Sequence, residues 1–417
     1  MAFDWASIIF YIIVFLALYS QIFFLYYFFS KRKTLKKETS YVAKDEDLPG
    51  VTFVIACWNE SETIKETMKS VQSLIYPKEK VHVVLVDDGS SDDTLFILNS
   101  YKDSQNIQIL SKENGGKHTA LNYALPHVST ELMCSIDADT FIEPDALLKI
   151  SSYFVRDPEL AVVGGAVLIN KPRTFAQKAQ SIEYQMFAYT KKVLGLMNGV
   201  MVAPGAFSLY KTKTLIEIGG YKKAHNLEDL ELTYRFQVGG YKVDQCHNAI
   251  VYTKGPDTIK SLFRQRMRWG YGFLNNTIDY RKTIFNRKLG NFGLFTVPMS
   301  VFSYFLVLTV FFISWYKLFV VLIEQITIMK LTGSFGLFSN LLSFDWFFVN
   351  TQAIAVLTLV MYATIFLSIY LGRKVSSIKN GSYVNILLFF ALYSFVVPFW
   401  VIKSVYNTAL ASTPSWR

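Results

Sequence analysis

Cysteine is scarce in this sequence, with three residues among 417. Cys57, Cys134 and Cys246 are odd in number and lack the paired spacing of a metal site, which argues against a disulfide framework and a zinc module. We expect all three to be buried thiols. The predicted strands are not followed by a Walker-type phosphate loop or a GxGxxG motif, and this disfavours binding of ATP or a dinucleotide.

Charge is low and unevenly spread, with 18% charged residues against 52% hydrophobic residues. This composition is too apolar for an ordinary soluble protein and too charged for a bundle of membrane spans alone. Much of the net charge of +10 lies in basic runs beside apolar segments, at 31–37, 281–288 and 373–379. Attraction to anionic lipid headgroups explains these runs, so we expect a lipid bilayer and no nucleic acid among the partners.

Four apolar runs are candidates for membrane spans. A bilayer core of about 30 Å needs about 20 apolar residues in a helix. The runs that meet this length are 8–29, 292–322, 347–371 and 383–402. The second is longer than one crossing requires, so we expect it to begin with an interface helix around Pro298.

Orientation follows from the basic runs, because Lys and Arg are retained on the cytoplasmic side of a membrane. They predict a multi-pass protein of the plasma membrane with residues 45–285 in the cytoplasm. An N-terminal span (1–30) and a basic linker (31–44) would precede this domain. The interface helix and three spans (286–417) would follow it.

Short β-branched runs alternate with helical patterns in the predicted cytoplasmic domain. The runs predicted as strands are 51–58, 81–86, 107–110 and 132–136. The stretches between them carry apolar residues at helical spacing. This alternation predicts an α/β fold with a mostly parallel, Rossmann-like sheet, which binds ligands at the carboxyl ends of its strands.

Acidic and amide side chains follow three of these strands. Asn59 and Glu60 follow the first strand, Asp88 ends the second, and Asp137 and Asp139 follow the fourth. Two carboxylates two residues apart at a strand end can both reach one divalent cation and leave positions for diphosphate oxygens.

Six motifs along residues 51–272 resemble those of membrane-embedded family 2 glycosyltransferases, the processive synthases of cellulose, chitin, hyaluronan and poly-N-acetylglucosamine. The motifs are ACWNESETI, VDDGSSDDT, ENGGKHTALNYAL, DADT, EDLELTYRF and QRMRWGYG. The resemblance implies a GT-A nucleotide-sugar-binding domain inserted between transmembrane helices. It also implies roles for the matching residues.

The donor site implied by the resemblance lies at the strand ends. The residues that would contact the uridine diphosphate are Asn59, Glu60, Asp88 and Lys117. Asp137 and Asp139 would hold the donor through Mg²⁺ or Mn²⁺. The metal and Lys117 would stabilise the negative charge that develops on the leaving diphosphate.

The general base implied by the resemblance is Asp229, which matches the Asp of a Thr-Glu-Asp motif. It would take the proton of an acceptor hydroxyl as that hydroxyl attacks the anomeric carbon from the face opposite the diphosphate. Glu228 is retained beside it, but Leu227 stands where the family has Thr, so another group must do what the Thr hydroxyl does. Gly205, in APGAF, matches a loop near the growing end of the acceptor.

The QRMRW motif places Gln265 and Arg268 on one face of a helix, with Trp269 beside them. By resemblance, Arg268 would bind the pyrophosphate and Trp269 would stack on the acceptor sugar. Gln265 would form a hydrogen bond in the same site. We expect Arg264 and Arg266 to serve as interfacial anchors beside the membrane.

The expected function is that of a processive, inverting glycosyltransferase that polymerises a β-linked polysaccharide from a UDP-sugar and couples synthesis to export. ACWNESETI and the single leading span are most similar to bacterial poly-β-1,6-N-acetylglucosamine synthases, so the expected donor is UDP-N-acetylglucosamine. The alternatives are a hyaluronan, chitin or cellulose-type synthase, a non-processive transferase with a lipid-linked acceptor, and a non-catalytic binding protein. Four spans are few to enclose a polymer, so we expect a small membrane partner or a second copy to complete the passage.

Overall fold

The β-branched runs of the sequence form one eight-stranded sheet in a computed structural model of the chain, which describes residues 5–333, 353–376, 378 and 382–414. The strands are β1 (Val51–Cys57), β2 (Val81–Asp88), β3 (Ile107–Lys112), β4 (Leu132–Asp137), β5 (Thr140–Ile142), β6 (Leu160–Ile169), β7 (Phe207–Lys211) and β8 (Lys242–Thr253). The four predicted strands, β1 to β4, are confirmed.

The α-helices of the described residues alternate with these strands and then continue without strands to the C-terminal side. They are α1 (Trp5–Ser30), α2 (Arg32–Ser40), α3 (Ile64–Gln72), α4 (Thr94–Asn99), α5 (Lys117–Ala124), α6 (Ala146–Arg156), α7 (Phe175–Leu196), α8 (Thr212–Glu217), α9 (Glu228–Val238), α10 (Ile259–Asp279), α11 (Val297–Thr332), α12 (Ala353–Val375) and α13 (Tyr383–Ala409).

The sheet is mixed, with the strand order β3-β2-β1-β4-β7-β6-β8-β5. The pairs β1/β2, β1/β4 and β2/β3 are parallel, as the alternation of strands and helices predicts. Beyond β4, β7 runs antiparallel to both of its neighbours, β6 and β8 pair in parallel, and β5 is antiparallel to β8. The α/β class is confirmed, and the antiparallel pairs lie in the half of the sheet that follows β4.

Helices cover both faces of the central strands, which explains why β1 reads as a continuous apolar run. Phe53 and Ile55 pack with Ile64 of α3 on one face. Val54 packs with Leu121 of α5 on the other face. Burial of each such side chain contributes roughly 1.5–3 kcal/mol. All three cysteines are buried and none forms a disulfide, as predicted.

Within the described part of the chain, four helices are long and apolar enough to cross a membrane. Their apolar segments are Ile8–Ser30, Phe292–Leu331, Val356–Val375 and Tyr383–Ala409. These correspond to the four predicted runs, although residues 347–352 of the third run lie outside the described residues. The chain therefore has the long apolar helices of a membrane protein.

Two segments near these helices are more regular than the sequence suggested. The basic linker contains α2, which is separated from the end of α1 by a single residue, Lys31. The expected interface helix and the second span are continuous, because a short π-helix (Phe292–Thr296) leads directly into the 36-residue α11. At 1.5 Å per residue α11 is about 54 Å long. Pro298 lies in the first turn of α11.

The two helices α7 and α10 join the sheet domain to the apolar helices. α7 packs against β6 and β8 and also against α12 and α13, while α10 packs against α13. Glycines permit both close approaches: a Cβ on Gly372 of α12 would collide with the Gln185 carbonyl of α7, and a Cβ on Gly270 of α10 would collide with Ser404 of α13. Any site beside α7 and α10 therefore lies next to the membrane helices.

Candidate active site

Three of the predicted donor-site residues line one cleft at the carboxyl ends of the strands. Asn59, Glu60 and Asp139 border this cleft of about 470 Å³, together with Lys254. Asn59 has a positive φ of 56°, and its Oδ1 accepts a hydrogen bond from the Ser91 amide at 2.8 Å. The turn after β1 is thereby tied to the turn after β2, and the two strand ends form one wall.

Asp88 lies beneath this wall and shapes the loop before α5. Its Oδ2 accepts the Gly116 amide at 2.8 Å, and its Oδ1 accepts the Gly115 amide at 3.1 Å and the Lys112 ammonium at 2.7 Å. The residue is 2% exposed. Asp88 thus fixes the turn from which Lys117 starts α5, while its direct contact with a donor remains a prediction.

Lys117 lies between the two groups of predicted acidic residues. Its Nζ donates to Asp137 Oδ1 at 2.5 Å and to the Gly205 carbonyl at 3.3 Å, and it lies 3.5 Å from Glu228 Oε1. Burial alone would lower the pKa of Lys117, but Asp137 and Glu228 outweigh it and raise the pKa. Lys117 is therefore held as a cation between the end of β4 and the start of α9.

Asp229 lies half-buried next to this cation. The Gly205 amide donates to Asp229 Oδ2 at 3.0 Å, which places the predicted base and the predicted acceptor loop in contact. Burial raises the pKa of Asp229 and the charge of Glu228 raises it further, while Lys117 opposes both effects. Thr233 donates to the Asp229 carbonyl at 2.7 Å and accepts the Ala203 amide at 3.0 Å, so a hydroxyl one turn later links this helix to the acceptor loop.

Asp137 and Asp139 have the chemistry of a divalent-cation site. The Asp139 carboxyl is crowded by negative charge: burial, Asp137 and Glu60 together raise its pKa to about 7. A bound cation would relieve that repulsion. No group of three or more His, Cys, Asp or Glu side chains that could hold a metal occurs among the described residues. The two aspartates therefore fit a cation that takes its remaining ligands from substrate oxygens and water, as Mg²⁺ does.

The QRMRW motif lies in helix α10, as predicted. Gln265 accepts a hydrogen bond from Gln180 of α7 at 2.7 Å. Burial lowers the pKa of Arg268, while the negative charges of Glu228, Asp229 and Asp137 oppose that shift. Trp269 packs in a cluster with Tyr184 of α7.

The prediction that Arg266 is an interfacial anchor is wrong. Its side chain is 6% exposed and pairs with Glu183 of α7. The guanidinium carbon lies 4.1 Å from the centre of the Trp269 ring. Glu183 also accepts the Tyr393 hydroxyl of α13 at 2.7 Å. Arg266 therefore fixes Trp269 and joins three helices where the sheet domain meets the membrane helices.

Comparison with known proteins identifies the family of this arrangement. A family model described as "Glycosyltransferase like family 2" matches residues 49–272, which is more than half of the chain. The chain belongs to the family 2 glycosyltransferases. It is a hexosyltransferase with a GT-A domain, and the sequence resemblance is confirmed.

Curated relatives of this transferase are named poly-beta-1,6-N-acetyl-D-glucosamine synthases. The one from Staphylococcus epidermidis is 29% identical over 343 residues, which cover 81% of each chain. One from Staphylococcus aureus is 30% identical over 263 residues, or 62% of this chain and 63% of the relative. A solved structure of a mannosyltransferase from Pyrobaculum calidifontis, in complex with GDP-Man and Mn²⁺, aligns with 96% of this chain and 98% of its own chain. The TM-score is 0.61 and the sequence identity is 15%. That likeness is one of fold.

Sequence reasoning missed α7 and its polar residues. The helix begins with a capping box, in which Thr174 and Gln177 each bind the backbone of the other. A Thr-x-x-Gln pattern before an apolar run is a readable signal for a helix start. The pairing of Glu183 with Arg266, which lie 83 residues apart, has no such local signal.

Proposed function

We propose that this transferase polymerises a β-linked polysaccharide from a UDP-sugar, by an inverting reaction at the cytoplasmic face of the plasma membrane. The donor proposed is UDP-N-acetylglucosamine and the product poly-N-acetylglucosamine, in line with the names of the Staphylococcus relatives. The observation that carries the proposal is the contact of Asp229 with Gly205 and the paired Lys117, between the strand-end aspartates and α10.

The chemistry follows from these positions. Asp229 would accept the proton of an acceptor hydroxyl as its oxygen bonds to the anomeric carbon and the bond from that carbon to the diphosphate breaks. Lys117 and Arg268 would stabilise the charge on the departing diphosphate. Glu228 would keep Lys117 oriented, since the two are 3.5 Å apart. Asn59, Glu60 and Asp88 would hold the nucleotide, Asp88 through the loop that it fixes.

Asp137 and Asp139 are the residues proposed to hold Mg²⁺ or Mn²⁺. A divalent cation bound there would supply Lewis-acid stabilisation of the diphosphate. The raised pKa of Asp139 supports this role. Asp139 and its neighbouring carboxylates repel one another when ionised, and a bound divalent cation would relieve that repulsion.

The acceptor is proposed to bind on the α10 side of Asp229, with Trp269 and Gln265 contacting it and Gly205 near its growing end. The Arg266 guanidinium lies over the Trp269 ring, and Trp269 packs against the cluster that contains Tyr184. An aromatic ring in this position supports a role in binding a sugar. The closeness of α10 to α13 supports transfer of a lengthening chain towards the membrane helices. With four apolar helices described, a small membrane partner or a second copy would complete a passage.

The test is transfer from a panel of radiolabelled UDP-sugars by membranes that contain the full-length protein, with Mg²⁺ or Mn²⁺ and with size analysis of the products. Asp229→Asn is the inactivating variant, and Asp103→Asn, at an exposed turn, is the matched control. We expect polymer from UDP-N-acetylglucosamine with the wild type and the control, and none with Asp229→Asn.

Other outcomes separate the alternatives. Polymer from a different UDP-sugar would identify a hyaluronan, chitin or cellulose-type synthase. Short products that partition into organic solvent would indicate a non-processive transferase with a lipid-linked acceptor. Full activity of Asp229→Asn would contradict the assignment of the base.

A further inference from the structure

The cleft at the strand ends is rich in acidic residues. Those that line its volume of about 470 Å³ are Glu60, Glu62, Asp92 and Asp139. A donor diphosphate is itself negative, so these carboxylates repel it unless cations compensate. Among the described residues that line the cleft, Lys254 carries the only positive charge. Lys254 is therefore the lining side chain that can attract a diphosphate.

The main chain holds Lys254 in place from both sides. Thr253, the last residue of β8, pairs with Thr140 of β5. The carbonyl of Gly255 accepts a hydrogen bond from Gln177 Nε2 of α7 at 3.0 Å. The residue between them is exposed, and its flexible four-carbon stem can carry the ammonium over the cleft. The backbone of Lys254 is thus fixed while its side chain can adjust to a ligand.

This position adjoins the proposed cation site. The Thr253 hydroxyl donates to Asp139 Oδ1 at 3.4 Å, so the residue before Lys254 contacts one of the two proposed metal ligands. Lys254 and Asp139 also border the same cleft. Mg²⁺ commonly completes its coordination with substrate phosphate oxygens. A diphosphate bound through a cation at Asp139 would therefore lie beside Lys254.

The ion pair between Lys254 and Glu62 is weak. Lys254 Nζ lies 3.7 Å from Glu62 Oε2, and the two side chains are 53% and 86% exposed. Water screens a pair as exposed as this one, so it contributes little to stability. A charge-assisted hydrogen bond from an ammonium to a phosphate oxygen is stronger. Exchange of Glu62 for a phosphate oxygen would therefore be favourable.

We propose that Lys254 binds the diphosphate of the nucleotide-sugar donor, and that its ammonium exchanges Glu62 for a phosphate oxygen when the donor enters the cleft. The inference rests on the proposed function, because it assumes that the cleft takes a UDP-sugar. It adds a donor-binding residue outside the six sequence motifs, since Lys254 lies between EDLELTYRF and QRMRWGYG.

The test is binding of radiolabelled UDP to the purified full-length protein with Mn²⁺, and its displacement by uridine. Lys254→Gln should weaken UDP binding by about tenfold, because a charge-assisted hydrogen bond is lost, and change uridine binding by less than about twofold. Lys254→Arg keeps the cation and should bind UDP within about threefold of wild type. Lys69→Gln is the control, at an exposed position of α3 that does not line the cleft.

Transfer kinetics of the same variants in membranes give a second measurement. Lys254→Gln should raise KM for UDP-N-acetylglucosamine by about tenfold and leave kcat within about twofold of wild type. The reason is that the contact is made to the bound donor as well as to the transition state. A fall in kcat with an unchanged KM would contradict binding of the donor by Lys254.

The outcomes distinguish the two proposals. Wild-type UDP affinity in Lys254→Gln would overturn the role of Lys254 and leave the proposed function intact. Equal losses of UDP and uridine affinity would also overturn that role, because they indicate a disturbed cleft. UDP binding by the wild type without transfer from any UDP-sugar would overturn the proposed function, and weaker UDP binding by Lys254→Gln would then still support the phosphate contact. Absence of UDP binding by the wild type would overturn both.

Discussion

The backbone amide of Gly205 donates a hydrogen bond to Asp229 Oδ2 at 3.0 Å, and the carbonyl of the same glycine accepts one from Lys117 at 3.3 Å. One peptide segment thus touches both the proposed base and a proposed diphosphate ligand. A Cβ added to Gly205 would lie 2.9 Å from Lys117 Nζ and 3.4 Å from Asp229 Oδ2.

Gly205→Ala should therefore lower kcat by about a hundredfold, since displacement of a reacting group by about 1 Å has an effect of this size. Lys117 cannot move away freely, because Asp137 and Glu228 hold its ammonium. Transfer rate and the melting temperature of the purified protein are to be measured together. Wild-type activity with an unchanged melting temperature would show that the glycine is not needed for this geometry.

A buried ion pair joins the sheet domain to the membrane helices. Glu183→Leu leaves the Arg266 charge, whose side chain is 6% exposed, without its carboxylate, and this should destabilise the protein by roughly 3–5 kcal/mol. Arg266→Met leaves the Glu183 carboxylate without its cation and should destabilise the protein to a similar extent. The double variant replaces both charges by apolar groups and should be more stable than either single variant.

Thermal unfolding in detergent of the wild type, both single variants and the double variant forms a double-mutant cycle. Additive losses in the double variant would mean that Glu183 and Arg266 are not coupled. Transfer by the double variant would also report on Trp269, because the Arg266 guanidinium that covers one face of its ring is lost.

Local sequence patterns predict the strand-end residues and Asp229, but they do not predict the burial of Arg266. The strand-end residues and Asp229 follow local patterns, since β1 to β4 are short apolar runs and each motif is contiguous. The basic and aromatic neighbours of Arg266 in the sequence predict an interfacial position for it. Its partner Glu183 lies 83 residues away on a helix that carries no motif, so the burial of the pair could not be predicted from local composition.

The second half of the sheet was missed for a related reason. Strand β6 contains Gly164 and Gly165, which weaken strand propensity. Both glycines are needed, because a Cβ on Gly165 would collide with Phe207 and one on Gly164 would lie 2.7 Å from Gln245 Oε1. Packing against β7 and β8 therefore requires glycine at these two positions of β6, although glycine has a low strand propensity.

Cation binding at Asp137 and Asp139 should depend on pH. Burial and the neighbouring Asp137 raise the pKa of Asp139 to about 7, so protons compete with the cation below that pH. Apparent affinity for Mn²⁺ in the presence of UDP should fall by up to about tenfold per pH unit below about pH 7 and level off above it.

Water-proton relaxation by Mn²⁺, recorded at about pH 6 and about pH 8, measures this dependence. Asp139→Asn should bind Mn²⁺ weakly at both values, and a chelator should abolish transfer by the wild type. The control is Asp145→Asn, an aspartate whose side chain is 43% exposed and pairs with Lys149 of the same helix turn. Equal Mn²⁺ affinity at both pH values in the wild type would contradict the competition.

Helix α2 is attached to the sheet domain by its acidic residue. Glu38 Oε2 lies 2.7 Å from the Lys192 ammonium, and Glu38 Oε1 lies 3.5 Å from Arg156. Thr39 is 3.2 Å from the ring of His247, which is 2% exposed. The basic side chains of α2 are exposed, so the helix directs its cations outward while its other face binds the domain.

Glu38→Gln should loosen α2, because Lys192 is fully buried and its remaining carboxylate partner, Asp244, is more distant at 3.5 Å. Leaving a buried charge poorly paired costs about 1–3 kcal/mol. Since cleavage follows the fraction of open molecules, trypsin should cut within residues 31–37 roughly tenfold faster. Glu46→Gln is the control, because its ion pair with Lys44 is highly exposed. Equal cleavage of Glu38→Gln and wild type would show that the ion pairs of Glu38 do not hold α2 in place.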